Sequence, residues 1–88
     1  MTRSEIFAVV RSNIHGIVEE TQNLEITEEM SMRDLGADSL QIVEVVSRSM
    51  KDLRLKVPRT DLMGAANLKD LVDLFERAAA RPGPAPGK

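Results

Sequence analysis

Apolar residues in this sequence recur at steps of three and four and nowhere alternate over a strand's length, which confines the chain to helices buried along one face. The first run puts Ile6, Val10, Ile14 and Ile17 or Val18 on one side of a helix predicted over residues 3–20. Thr2-Arg3-Ser4-Glu5 opens it in the Ser/Thr-x-x-Glu form of a capping box. Asn13 and Gly16 weaken it, the glycine by roughly 1 kcal/mol relative to alanine. A second run, Ile42 or Val43, Val46, Met50 and Leu53, predicts a helix from Asp38 or Ser39 to about Leu53, with Gly36 freeing the backbone just before it. Pro58 then pushes Val57 out of helical geometry. A short helical turn follows over Arg59 to Met63 and stops at Gly64. The last helix takes Asn67 as N-cap, Asp70 in its first turn, and buries Leu68, Leu71, Val72 and Phe75 before fading in Ala78 to Ala80.

Between the first two helices, residues 21–37 keep no period. They predict a long structured loop, a form that is uncommon in small domains and usually functional. Leu24, Ile26 and Leu35 are its expected anchors to the core, with Met30 and Met32 packing the loop. Residues 81–88 hold three of the four prolines and predict a disordered Pro/Gly-rich tail after a domain of residues 1–80. The expected architecture is all-α: a four-helix bundle with a long first loop and a short third helix.

With 88 residues the chain builds one core. It has no cysteine, which excludes disulfides, thiolate metal sites and cysteine nucleophiles. Phe7 and Phe75 are the only aromatic residues, too few for a base-stacking surface. The N-terminus carries neither a signal peptide nor a membrane-length apolar run, so the expectation is a cytoplasmic monomer with no nucleic-acid or membrane partner. Charge is unevenly spread. Residues 1–38 carry eight acids and three bases, whereas residues 39–60 carry two acids, Glu44 and Asp52, against Arg48, Lys51, Arg54, Lys56 and Arg59. Such a mixed field suits a surface read by a protein partner. The acidic pairs Glu19-Glu20 and Glu28-Glu29 lack the spacing of a calcium loop and read as solvated surface.

Chemistry concentrates at Leu35-Gly36-Ala37-Asp38-Ser39-Leu40. Either Asp38 or Ser39 can cap the second helix. A serine hydroxyl at that helix start is also well placed to carry a phosphodiester, because free amide N–H groups and the helix dipole favour a phosphate there. Local spacing leaves the two readings open. No base stands beside Ser39, and the lone His15 sits on the first helix, so an enzyme's catalytic constellation is missing.

This LGADSL segment, followed by an aliphatic helix, Val57-Pro58, a short turn and a leucine-rich last helix, resembles the acyl carrier proteins in order and spacing over most of the chain. The resemblance implies a 4'-phosphopantetheine arm on Ser39, attached from coenzyme A by a phosphopantetheinyl transferase that contacts Asp38 and Leu40. It also implies a carrier rather than an enzyme. Fatty-acid carriers resemble one another in an acidic second helix, and this chain departs from that pattern. From Val57 to Phe75 it looks more like the free-standing donor carriers of polyketide β-branching cassettes. Those present acetyl to a synthase of the hydroxymethylglutaryl (HMG) type and work beside a ketosynthase or decarboxylase and an acyltransferase. On that resemblance the partner-reading residues are Leu40, Gln41, Glu44, Arg48 and Met63, with Ala65 and Asn67. The alternatives are a general polyketide or fatty-acid elongation carrier and an unmodified helical adaptor.

Overall fold

The structure, a computed structural model, describes residues 1–80 as four helices: α1 (Arg3–Ile17), α2 (Ser39–Leu53), α3 (Arg59–Met63) and α4 (Leu68–Ala80). There is no strand among the described residues. The expected tail of residues 81–88 lies outside them. α1 packs mainly on α2 and also on α4, and α3 rests against α4. The aliphatic stripes meet in one core: Ile6, Val10 and Ile14 from α1, Val45, Val46 and Leu53 from α2, and Leu68, Leu71, Val72 and Phe75 from α4.

The Thr2–Glu5 capping box forms, with each residue's side chain accepting from the other's backbone N–H. α1 ends earlier than residue 20, however. Val18 leaves the helix in an extended conformation and is followed by a 3-10 turn over Glu19–Thr21. Two fully buried side chains drive this exit: Val18 turns into the core, and the Thr21 hydroxyl donates back to the Val18 carbonyl at 2.6 Å. In the long loop Ile26 and Leu35 are buried as expected, together with Met32 and Ala37. Leu24 is not an anchor; it is 49% exposed, three residues beyond the turn that Thr21 locks. The loop's second half is fastened to the start of α4, where the Leu68 and Lys69 N–H groups donate to the carbonyls of Met30 (2.9 Å) and Glu28 (2.8 Å).

On α2 the buried face is rotated from the expected stripe. Val43 is half exposed at 48% and Ile42 half-buried, while Val45 and Ser49, one turn apart, are fully buried. This row faces α1, whose Asn13 amide donates to the Ser49 hydroxyl at 3.0 Å and to the Asp52 carboxylate at 3.2 Å. Arg54 closes α2 in the left-handed region (φ 57°, ψ 44°), a conformation that costs a non-glycine residue about 1 kcal/mol. α3 buries no residue fully and begins directly after Pro58, its N-cap. Asn67 caps α4, its side-chain oxygen accepting from the Asp70 N–H at 2.9 Å.

Candidate functional site

Gly36 holds φ 91°, a left-handed conformation that glycine adopts without penalty. It closes the turn of residues 31–36, where Ser31 and Asp34 each accept from the other's backbone N–H. Ala37 then buries its methyl, and the chain enters α2 at a fixed angle.

At that entry the two cap candidates separate. Asp38 is the N-cap: its carboxylate accepts from the Gln41 N–H at 2.8 Å, and the Gln41 side chain accepts from the Asp38 N–H at 3.0 Å. Ser39 is therefore the first helical residue, exposed, its hydroxyl making no hydrogen bond among the described residues. The N–H groups of Ser39 and Leu40 have no acceptor within the helix, since an α-helix leaves its first amides unpaired. A phosphodiester on this oxygen meets free donors and the positive end of the dipole, and no side chain blocks it. The site fits the group. No histidine or other hydrogen-bonded base adjoins the Ser39 hydroxyl among the described residues, so nothing here activates it as a nucleophile.

The expected partner-reading residues divide. Leu40 (76% exposed), Glu44 and Arg48 stand on the outer surface of α2, and Met63 (79% exposed) projects from α3. Gln41 and Asn67 are half-buried and committed to caps, and Gln41 also reaches the Ile17 carbonyl at 3.4 Å. Ala65 packs half-buried against the core. One surface apolar residue escaped the sequence reading: Val43, which lies one turn from Leu40 and was counted as a candidate for the core stripe.

A second feature was also unforeseen. A cleft of about 170 Å³ opens among α2, α3 and the start of α4, with Met32, Ile42, Val46, Leu62, Leu68 and Leu71 as its apolar wall. Ser31, Arg33 and Asn67 add polar groups. The cleft is open to solvent rather than enclosed. It begins one helical turn from Ser39, at Ile42. Two of its walls come from segments far apart in sequence, which is why no local pattern announced it.

Among the described residues no group of carboxylates and histidines is arranged to hold a metal ion, and no helix is long and apolar enough to cross a membrane.

Comparison with known proteins agrees with this geometry. Residues 10–75 match the family described as phosphopantetheine attachment site. The polyketide biosynthesis acyl-carrier-protein AcpK of Bacillus subtilis (strain 168) is 32% identical over 75 residues, 85% of this chain and 92% of that protein. The acyl carrier protein of Thermotoga maritima is 37% identical over 79 residues, covering 86% of this chain and 94% of the relative. Among solved structures, the crystal structure of the curacin biosynthetic pathway HMG synthase in complex with acetyl donor-ACP contains a similar chain. That chain superposes with a TM-score of 0.78 at 32% identity, over 90% of this chain and 99% of its own length.

Proposed function

The chain belongs to the phosphopantetheine attachment-site family, as an acyl carrier rather than an enzyme, and from that premise we propose that Ser39 carries the 4'-phosphopantetheine arm and that the loaded protein donates acetyl to an HMG-type synthase in polyketide β-branching. The observation that carries the attachment assignment is the division of labour at the start of α2. Asp38 does the capping, and the Ser39 oxygen is left exposed and unbonded. A phosphopantetheinyl transferase supplies the base that this site lacks and takes the hydroxyl proton; the Ser39 oxygen bonds to the pantetheine-side phosphorus of coenzyme A as the pyrophosphate P–O bond breaks and adenosine 3',5'-bisphosphate leaves.

When bound, the arm supplies a terminal thiol that holds the acyl group as a thioester. The chain's own residues do the rest. α2 fixes the root of the arm, Leu40, Val43 and Met63 offer an apolar surface beside it, and Asp38 sets the angle of the helix. The carrier raises the local concentration of its cargo at a partner's active site and lowers no barrier itself. Residues 1–80 form the carrier domain, working as a cytoplasmic monomer beside a ketosynthase or decarboxylase and an acyltransferase. Support for the donor role comes from the likeness to a chain in the donor complex of the curacin synthase. The exposed bases of α2 add to it, because a donor has to be distinguished from the acceptor carriers of the same assembly line.

Two measurements test this. Incubation with coenzyme A and a broad-specificity transferase should raise the intact mass by one phosphopantetheine, and Ser39→Ala should stay unmodified. Acetyl transfer to an HMG-type synthase should be faster from this protein than from an acceptor carrier. Equal rates would remove the donor assignment in favour of a general elongation carrier, and no mass gain would leave an unmodified adaptor.

A further inference from the structure

Five basic side chains, Arg48, Lys51, Arg54, Lys56 and Arg59, are all exposed, and none forms an ion pair among the described residues. The first three lie three residues apart, so they climb the solvent face of α2 as one ridge. Lys56 and Arg59 continue the sequence through the connection and into α3. Elsewhere Arg3 and Lys69 are paired with carboxylates, while Arg11, Arg33 and Arg77 are exposed and scattered over other elements, so it is the clustering of the five bases, rather than their lack of ion pairs, that sets them apart. Arg54 adds an independent sign. It occupies a left-handed helix end where glycine is the usual residue, so a basic side chain stands in a backbone position that disfavours it.

The ridge lies at a distance from the arm. At 1.5 Å per residue, Arg48, Lys51 and Arg54 sit about 14, 18 and 22 Å along the axis from Ser39. The apolar residues Leu40 and Val43 lie within the first turn and a half. The exposed face of α2 therefore has two zones, one apolar beside Ser39 and one basic at the far end.

We infer that the basic zone docks on a carboxylate-rich patch of the acetyl-accepting synthase, placed about 14 to 22 Å from the mouth through which the arm enters, so that the charges set the carrier's orientation and the apolar zone makes the close contact. This rests on the donor reading above. Charge complementarity selects the occupant. A carrier of net charge −2, with only two aromatic residues, is poorly matched to nucleic acid, and a patch of opposite sign on a protein steers approach and fixes register. The acidic second helix expected of other carriers would be repelled by the same patch, which gives the synthase its discrimination.

The test uses the full-length, acetyl-loaded holo-protein with the curacin-pathway HMG synthase as the probe, and that pathway's own donor carrier as positive control. Wild type is compared with Arg48→Glu/Lys51→Glu/Arg59→Glu, the corresponding triple Gln variant, and Arg77→Glu on α4 as a surface charge control. Circular dichroism verifies that each remains folded. The expected result at low salt is a tenfold or greater fall in kcat/KM for the triple Glu variant, carried by KM, with a smaller fall for the Gln variant. The gap should narrow as salt rises, because screening acts on the charge term alone. A triple Glu variant no slower than Arg77→Glu, with wild type active, would overturn the basic zone and leave the donor role standing. An inactive wild type beside an active control would overturn both. Salt-sensitive binding of wild type to phosphatidylserine vesicles, lost in the triple Glu variant, would overturn the protein occupant in favour of a lipid surface.

Discussion

Asp38 and Ser39 are adjacent, both are cap-forming types, and they do different work. The cap gives a prediction that separates structure from recognition. Asp38→Ala should destabilise the domain by about 1 kcal/mol in urea unfolding, since it strands the Gln41 amide, whereas Asp38→Ser should recover most of that loss. If Asp38 also contacts the transferase, the Ser variant will be restored in stability and still be modified slowly; if it only caps, both properties return together. The LGADSL segment was legible as a phosphate-suited helix start, and the family resemblance chose Ser39 from it. What the sequence left open was which of the two residues held the cap, because an aspartate and a serine in tandem satisfy the same spacing rules. The exposed Val43 was missed for a related reason. An aliphatic residue at helical spacing fits either edge of a stripe, and one step of rotation decides whether it meets the core or the partner.

Among the elements, the helices were read well and the loop less so. The Thr2–Glu5 capping box, the cap at Asp38 or Ser39, Pro58 and the Asn67 cap are local signals, and α1, α2, α3 and α4 all begin where those signals put them. The end of α1 is set by tertiary burial of Val18 and Thr21, which a local period cannot register. The same holds for the loop, where Leu24 and Ile26 look alike on paper and have opposite environments. Their contrast can be measured. Ile26→Ala removes a 4% exposed side chain and should cost about 2 to 4 kcal/mol, while Leu24→Ala should stay within about 0.5 kcal/mol of wild type. Equivalent losses in chemical denaturation would mean that the loop packs differently from this arrangement. The docking ridge belongs to this scale too: it was visible as a count of bases in residues 39–60, and only the helix register showed that they share a solvent face.

Across the whole molecule one side chain adds a polar tie between α1, the long loop and α4. The Arg3 guanidinium donates to Glu28 in the long loop at 2.6 Å, to Asp73 on α4 at 2.5 Å, and to Glu76 at 3.1 Å. Glu28 also offers its carbonyl to the Lys69 N–H, so Arg3 clasps α1 to the junction that fastens the loop to α4. The hydrogen bonds to Glu28 and then Asp73 hold the guanidinium well above its ordinary pKa, and Arg3, followed by Lys69, holds the Asp73 carboxyl below its ordinary 3.8. Glu5 is held below its ordinary 4.5 by the Thr2 backbone and then the Thr2 hydroxyl. Both carboxyls bind protons more weakly folded than unfolded. Their stabilisation is complete above the unfolded values and is lost as pH falls through the folded ones. Stability should thus be level near neutrality and begin to decline below about pH 5. Arg3→Ala, followed by urea unfolding at a series of pH values, should lower stability most at neutral pH, and the difference from wild type should shrink in acid as pH falls through the lowered folded value of Asp73. Because these pairs are partly exposed, raising the salt at pH 7 should shrink the difference between the two proteins as well. A difference that persists unchanged in acid would mean that Arg3 acts through the packing of its aliphatic stem, and the clasp between α1, the loop and α4 would then be apolar in origin.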